Sequence, residues 1–250
     1  MDFLLYRRHG QSCCQNVGEY YFCQGIDPYD LQEHLQEFLE KHKIDKRSFS
    51  EVIVVHRNNL FALVPQSLFD DSQLANYLKF NTKILANDHI VYDEIKNHDI
   101  FTVYVPFANI NNYIFDLYGE FDFEHHSTVM IHSLLNASSN ELDTIGYVHV
   151  GRQQMDITII SNKQLLLYNT FAFVTKEDFI YYLLFTLEQL KLNPEHISLK
   201  LFGAIEEDDE IYKLCHRYVK NVVISVPPVN TYPILESVEE SIDFTLLSTL

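Results

Sequence analysis

The chain reads as one run of segments written twice. In the first half, Phe3–Arg8 is a short strand that ends at His9-Gly10. Gln11–Gln15 follows as a second strand, Asn16-Val17-Gly18 as a hairpin turn, and the Tyr/Phe-rich Glu19–Gln24 as a third strand. Asp27 stands where a helix cap belongs, with Pro28 at the first helical position. Leu31, Leu35, Phe38 and Leu39 then recur at the spacing of one buried helical face. Glu51–His56 (EVIVVH) is nearly all apolar, which suits a strand covered on both faces. In the second half, Ile145–Val150 ends at Gly151, and Met155–Ile160 and Gln164–Phe173 flank a turn at Ser161-Asn162-Lys163. Thr175 and Asp178 form a capping-box pattern, and Ile197–Phe202 precedes a helix over Tyr212–Lys220. Gly10 and Gly151 stand 141 positions apart, Asn16 and Ser161 145, and Asp27 and Thr175 148. A near-constant offset is the mark of an internal repeat.

Between the two runs, Ser72–Phe80 reads as a helix, Ile100–Pro106 as a strand, Ile110–Gly119 as a helix, Phe121–His125 as a strand and Thr128–Leu135 as a helix. Ala137-Ser138-Ser139-Asn140 is the best linker. Two α/β domains are therefore expected, 1–140 and 141–250, the second carrying a proline-punctuated, acidic tail.

This order, taken twice, is similar to the plan of the actin-like ATPase fold: two ribonuclease-H-like domains, each a mixed five-stranded sheet flanked by helices, facing each other across a cleft. Residues 146–173 (GYVHVGRQQMDITIISNKQLLLYNTFAF), with the capped helix and LFGAIEED after them, resemble the second domain of PilM- and FtsA-type proteins. FALVPQSLFDD, EHHSTVMIHSLL and TKEDFIYYLLFTLEQL resemble an uncharacterised bacterial domain-of-unknown-function family assigned this fold.

The resemblance implies an Asp-x-Gly turn after the first strand of each domain. Its aspartate manages Mg²⁺ and water, and its glycine admits phosphate. Here the two turns read Arg8-His9-Gly10 and His149-Val150-Gly151. Each glycine is kept and each carboxylate is gone, and neutral imidazole is a poor Mg²⁺ ligand. The implied adenosine turn reads Gly203-Ala204-Ile205, followed by five acids, Glu206–Glu210. These complement a helix start by themselves and repel an approaching phosphate. The expectation is a non-catalytic, degenerate ATPase that acts as an interaction scaffold, with no cofactor, no catalytic residue and no metal ligand. The alternative is an ATPase or small-molecule kinase that binds ATP and Mg²⁺ in the inter-domain cleft. Its cofactor-binding residues would be Gly10, His149, Gly151, Arg152, Gln153 and Gly203.

A metal-dependent hydrolase is the third reading, built on Asp156, His149 or the DFEHH run of Asp122, Glu124, His125 and His126. Adjacent histidines diverge in an extended segment, and one acid does not hold the two metals such chemistry uses. GxSxG, HExxH, GxxxxGK[ST] and GxGxxG do not occur. The net charge of −17 excludes a nucleic-acid or anionic-membrane surface and favours a basic protein partner. Monomer and homodimer both fit. No apolar run approaches the ~18 residues of a membrane span, and in MDFLLYRRHG the arginines follow the apolar run, unlike a secretory signal. The four cysteines form no CxxC pair, consistent with reduced thiols and a cytoplasmic location.

Overall fold

The computed structural model describes residues 28–85, 87–138 and 142–225, the strands at 4–7 and 14–18, and residues 244 and 248. It divides into two compact units, Met1–Val129 with Asn230–Leu250, and Met130–Val229. The chain passes from the one to the other within the helix His126–Ala137.

In the first unit β1 (Leu4–Arg7) pairs antiparallel with β2 (Cys14–Gly18). The expected turn at Asn16-Val17-Gly18 is strand instead: Val17 and Gly18 pair with Leu5 and Leu4. Gly10, the Asp27 cap and the expected strand Glu19–Gln24 lie outside the described residues. Helix α1 (Pro28–Lys41) buries Leu31, Leu35, Phe38 and Leu39 as its spacing requires. β3 (Ile53–His56) pairs in parallel with β7 (Asp122–His125), and α3 (Ala108–Tyr118) shares the α1 core through Ile110 and Ile114.

Residues 57–107 separate β3 from α3 and build a sheet of their own, ordered β4 (Phe61–Pro65), β6 (Ile100–Tyr104), β5 (Val91–Ile95) and fully antiparallel. β4 and β5 are not foreseen in the sequence reading, because both are short and β5 carries Asp93 and Glu94. The helix expected over Ser72–Phe80 is also shorter. Asp70 accepts the Ser72 N–H at 2.9 Å and opens a tighter turn over Asp71–Gln73, leaving α2 only Leu74–Leu78. Asp93 fixes this inserted sheet to helix α4 (His126–Ala137). It accepts from the His125 N–H (2.7 Å), the Thr128 hydroxyl (2.8 Å) and the Tyr104 hydroxyl (3.0 Å), a cap delivered from a distant strand. Burial nonetheless pushes its carboxyl above the ordinary range.

The second unit is one mixed sheet of five strands. Its order is β10 (Gln164–Ala172), β9 (Gln154–Ser161), β8 (Ile145–Val150), β11 (Ser198–Gly203), β12 (Asn221–Ile224). β8, β9 and β10 form an antiparallel meander, and β11 and β12 run parallel to β8. Helices α5 (Lys176–Gln189) and α6 (Glu210–Tyr218) enclose the larger core: Val148, Ile157 and Ile159 of the sheet meet Phe179, Leu183, Leu187 and Cys215. Cys215 is a buried thiol whose pKa desolvation raises to about 12, so its role is packing.

The internal repeat is visible in helix chemistry. Helices α1 and α5 each have 14 residues. Each ends with a lysine in the left-handed region, Lys43 (φ 54°) and Lys191 (φ 54°). The next apolar residue then donates its N–H back to the helix, Ile44 to Leu39 O at 2.8 Å and Leu192 to Leu187 O at 2.9 Å. This is the same Schellman closure 148 positions apart, from Lys43 to Lys191. No described helix is long and apolar enough to cross a membrane.

Candidate functional site

The sheet of the second unit has two chemically different faces. On one face its central strands carry Val148, Val150, Met155, Ile157 and Ile159, all buried in the α5–α6 core. On the other, register brings together Tyr147 with Thr158 and His149 with Asp156, and the edge strand adds Tyr168 and Thr170 opposite the same residues. The result is a buried polar patch at the centre of the sheet.

Asp156 is its centre. The side chain is 1 % exposed and accepts from His149 Nδ1 (3.0 Å), the Thr170 hydroxyl (2.7 Å) and the Tyr168 hydroxyl (3.3 Å). With a carboxylate as acceptor, Nδ1 is the proton-bearing nitrogen of the ring, and Nε2 faces the other way. That second edge lies against Gly203. A Cβ there would stand 2.9 Å from His149 Cδ2, 3.1 Å from Nε2 and 2.5 Å from the Val150 carbonyl oxygen. Gly203 also has φ +95°. The residue is glycine because the imidazole and the neighbouring carbonyl take the space of a side chain, and because the backbone is left-handed. Gly203→Ala should lower stability by about 2 kcal/mol, measured by urea unfolding; a loss below 0.5 kcal/mol would contradict this account of the glycine.

The backbone donors at the carboxyl ends of β8 and β11 are engaged in closing the fold. Gly151 N–H meets Gln154 O at 2.8 Å, Ala204 N–H meets Val150 O at 2.7 Å, and Ile205 N–H meets Gly203 O at 2.9 Å. Glu206 N–H donates to Asp209 Oδ2 at 2.8 Å. These are the groups that a phosphate-binding turn leaves open. Arg152 and Gln153 are exposed in the β8–β9 hairpin. The run Glu206–Glu210 is exposed throughout, and Glu210 pairs with Lys176 at 2.7 Å. Where Mg²⁺ would need oxygen donors, this turn presents the His149 imidazole and the buried Asp156 carboxylate, which already accepts three hydrogen bonds. Of the nucleotide-binding candidates, His149 and Gly203 touch and Gly151 follows the strand that carries His149, while Gly10 is outside the described residues.

Asp122, Glu124 and His125 of the DFEHH run do not assemble as a ligand set. Asp122 and Glu124 lie on the exposed side of β7, and His125 is buried beneath them. Its Nδ1 accepts the Ser127 N–H (3.2 Å) and meets the Ser127 hydroxyl (2.6 Å), and its Nε2 reaches Asn58 O (3.2 Å). His125 is the neutral Nε2–H tautomer, capping α4. Sequence reading treated His149 and Asp156 as separate candidates and missed Tyr168 and Thr170. The signal that joins the first two is symmetry about the hairpin: each lies two residues outside the Gly151 to Gln154 closure, hence directly opposite.

Residues 2–222 match the family described as "Protein of unknown function (DUF3822)". The chain belongs to that family. Among solved structures, this DUF3822 protein is similar to one from Bacteroides thetaiotaomicron VPI-5482 described as having an actin-like ATPase fold and unknown function. The two share 23 % identity over 85 % of this chain and 82 % of that one, with a TM-score of 0.73. It is also similar to a chain of the "PilM-PilN type IV pilus biogenesis complex", at 10 % identity, 84 % and 81 % coverage and a TM-score of 0.53. The DUF3822 chain therefore has the actin-like ATPase fold, as its doubled segment order indicates. No curated protein matches it.

Proposed function

We propose that this DUF3822 protein is a non-catalytic, cytoplasmic member of the actin-like ATPase fold that works as an interaction scaffold. One observation carries the reading: Asp156, the buried acid nearest the glycine turn, is held by His149, Tyr168 and Thr170. A carboxylate with three internal donors is structural cement, not a handle for metal-bound water. The engaged N–H groups of Gly151, Ala204 and Glu206 and the acids beside them work in the same direction. The PilM relative, solved in a complex with PilN, gives the fold a precedent for partner binding, by analogy alone.

The test is thermal unfolding with millimolar ATP or ADP and Mg²⁺. A ligand at 100 times its Kd stabilises by about 2.7 kcal/mol, several degrees in Tm for a chain of this size. The expected result is no shift beyond about 1 °C. A rise of several degrees would replace this reading with the nucleotide-binding one, centred on His149, Gly151, Arg152, Gln153 and Gly203.

A further inference from the structure

We infer that the edge of β10 and the outer face of α5 form the docking surface for an extended, arginine-bearing segment of a partner protein. This deepens the scaffold reading and rests on it. Two features meet here. The first is the edge itself. Among the described residues β10 is hydrogen-bonded to a strand on one side only. Its sequence, QLLLYNTFA, has no charge and no proline, the usual guards of an unpaired edge. A register irregularity is confined to Leu165–Leu167, and pairing from Leu167 to Ala172 is regular. Such an edge offers a partner a ladder of main-chain hydrogen bonds.

The second feature starts on that strand and runs onto the helix. Phe171 stacks on Tyr182 (centroids 4.8 Å, 18°), Tyr182 meets Tyr181 edge-on (5.4 Å, 67°), and Tyr181 stacks on Phe185 (5.9 Å, 17°). Four rings thus form a continuous shelf beside the edge strand. Tyr181 is 59 % and Phe185 43 % exposed, where a helix packed only on its own sheet would show polar side chains. Exposed Glu177 lies one turn before Tyr181, and exposed Glu188 just beyond Phe185, on the same side of the helix. Lys176, beside Glu177 in the chain, is engaged with Glu210.

Rings bounded by carboxylates suit guanidinium, which stacks on aromatic faces while donating to an acid at the rim. A second copy of this chain is the poorer occupant, since it would bring another −17 charges to a face already edged with glutamate.

The probe is a fluorescein-labelled, end-blocked peptide of alternating arginine and valine, about nine residues long. Its anisotropy is followed against the full chain in 0.15 M salt. The arginine peptide should bind in the micromolar range, its lysine counterpart about tenfold more weakly, and its glutamate counterpart not at all. The double variant Tyr181→Ser/Phe185→Ser keeps the net charge and should weaken the arginine peptide at least tenfold, with its thermal unfolding unchanged. Equal binding to wild type and double variant would mean non-specific attraction to an acidic protein and would overturn the proposal. So would no binding of the arginine peptide, or a sedimenting homodimer that the double variant dissolves. A nucleotide-induced rise in Tm would sink the scaffold reading without altering the peptide result. Peptide failure with no nucleotide response would sink this surface alone.

Discussion

Asp156→Ala should destabilise the second unit by about 3–5 kcal/mol, a large share of the stability of an ordinary domain. The substitution removes a carboxylate from a position 1 % exposed to solvent. The larger cost lies in what remains. The His149 Nδ1–H and the Thr170 and Tyr168 hydroxyls all point at the vacated place, and a buried donor without an acceptor costs about 1–3 kcal/mol. The three do not simply add, because they share one acceptor group and are lost together. Urea unfolding of wild type and variant at neutral pH measures the loss. Asp156→Asn keeps the volume and one carbonyl acceptor, so it should lose about half as much; it remains readable if the alanine variant does not fold. Thr170→Val should cost about 1 kcal/mol in wild type and almost nothing beside Asp156→Ala, because its acceptor is then already missing. A loss below 1 kcal/mol for Asp156→Ala would show that the patch is solvated, and would reopen Asp156 as a group available for chemistry.

This patch also shows what a sequence discloses and what it withholds. Periodicity exposed the repeat, because a buried helical face and an apolar strand leave regular marks: Leu31 to Leu39 and Ile145 to Val150 both pack as their spacing requires. Thr175 and Asp178 form the capping box that their spacing announces. Turn chemistry served less well where residues outside the turn decide the register. Asn16-Val17-Gly18 has the composition of a turn, yet it lies in β2 because pairing with β1 claims it. The inserted sheet was nearly invisible. β4 and β5 have five residues each, and the acid in β5 that looks wrong for a strand, Asp93, is there to cap a helix far along the chain. Polar residues in strands were legible one at a time and not as partners. His149 and Asp156 became a pair only once register set them face to face, and Thr170 joined them from a third strand. Long-range register is a property of the whole sheet, so no local window contains it.

A second large effect concerns pH and belongs to His56, at the end of β3. Its Nε2–H donates to Asn111 Oδ1 at 2.8 Å, and its Nδ1 accepts the Phe107 N–H at 3.4 Å. Phe107 and Phe123 enclose the ring, with centroids 5.8 Å away in each case. Both nitrogens have roles that the neutral ring fills, and a second proton would displace the Phe107 N–H. Burial lowers the pKa from 6.5 to about 4, against the smaller upward pull of Asn111. The unfolded chain therefore takes up a proton near pH 6.5 that the folded chain refuses until about pH 4. In that window the unfolded state binds more protons, so stability rises with pH and is lost as pH falls. Between pH 7 and pH 5 the loss assignable to this residue is about 2 kcal/mol, approaching 3 kcal/mol below pH 4. His56→Gln keeps an N–H for Asn111 and has no proton to gain. Wild type minus variant isolates the residue from carboxylates that titrate nearby, Asp93 among them. Urea midpoints from pH 7 down to pH 5 should converge as the wild type loses its advantage, with the difference shrinking by about 2 kcal/mol. A difference that stays constant across that range would mean that His56 takes up its proton in the folded chain as readily as in the unfolded one, and that burial between Phe107 and Phe123 does not hold the ring neutral.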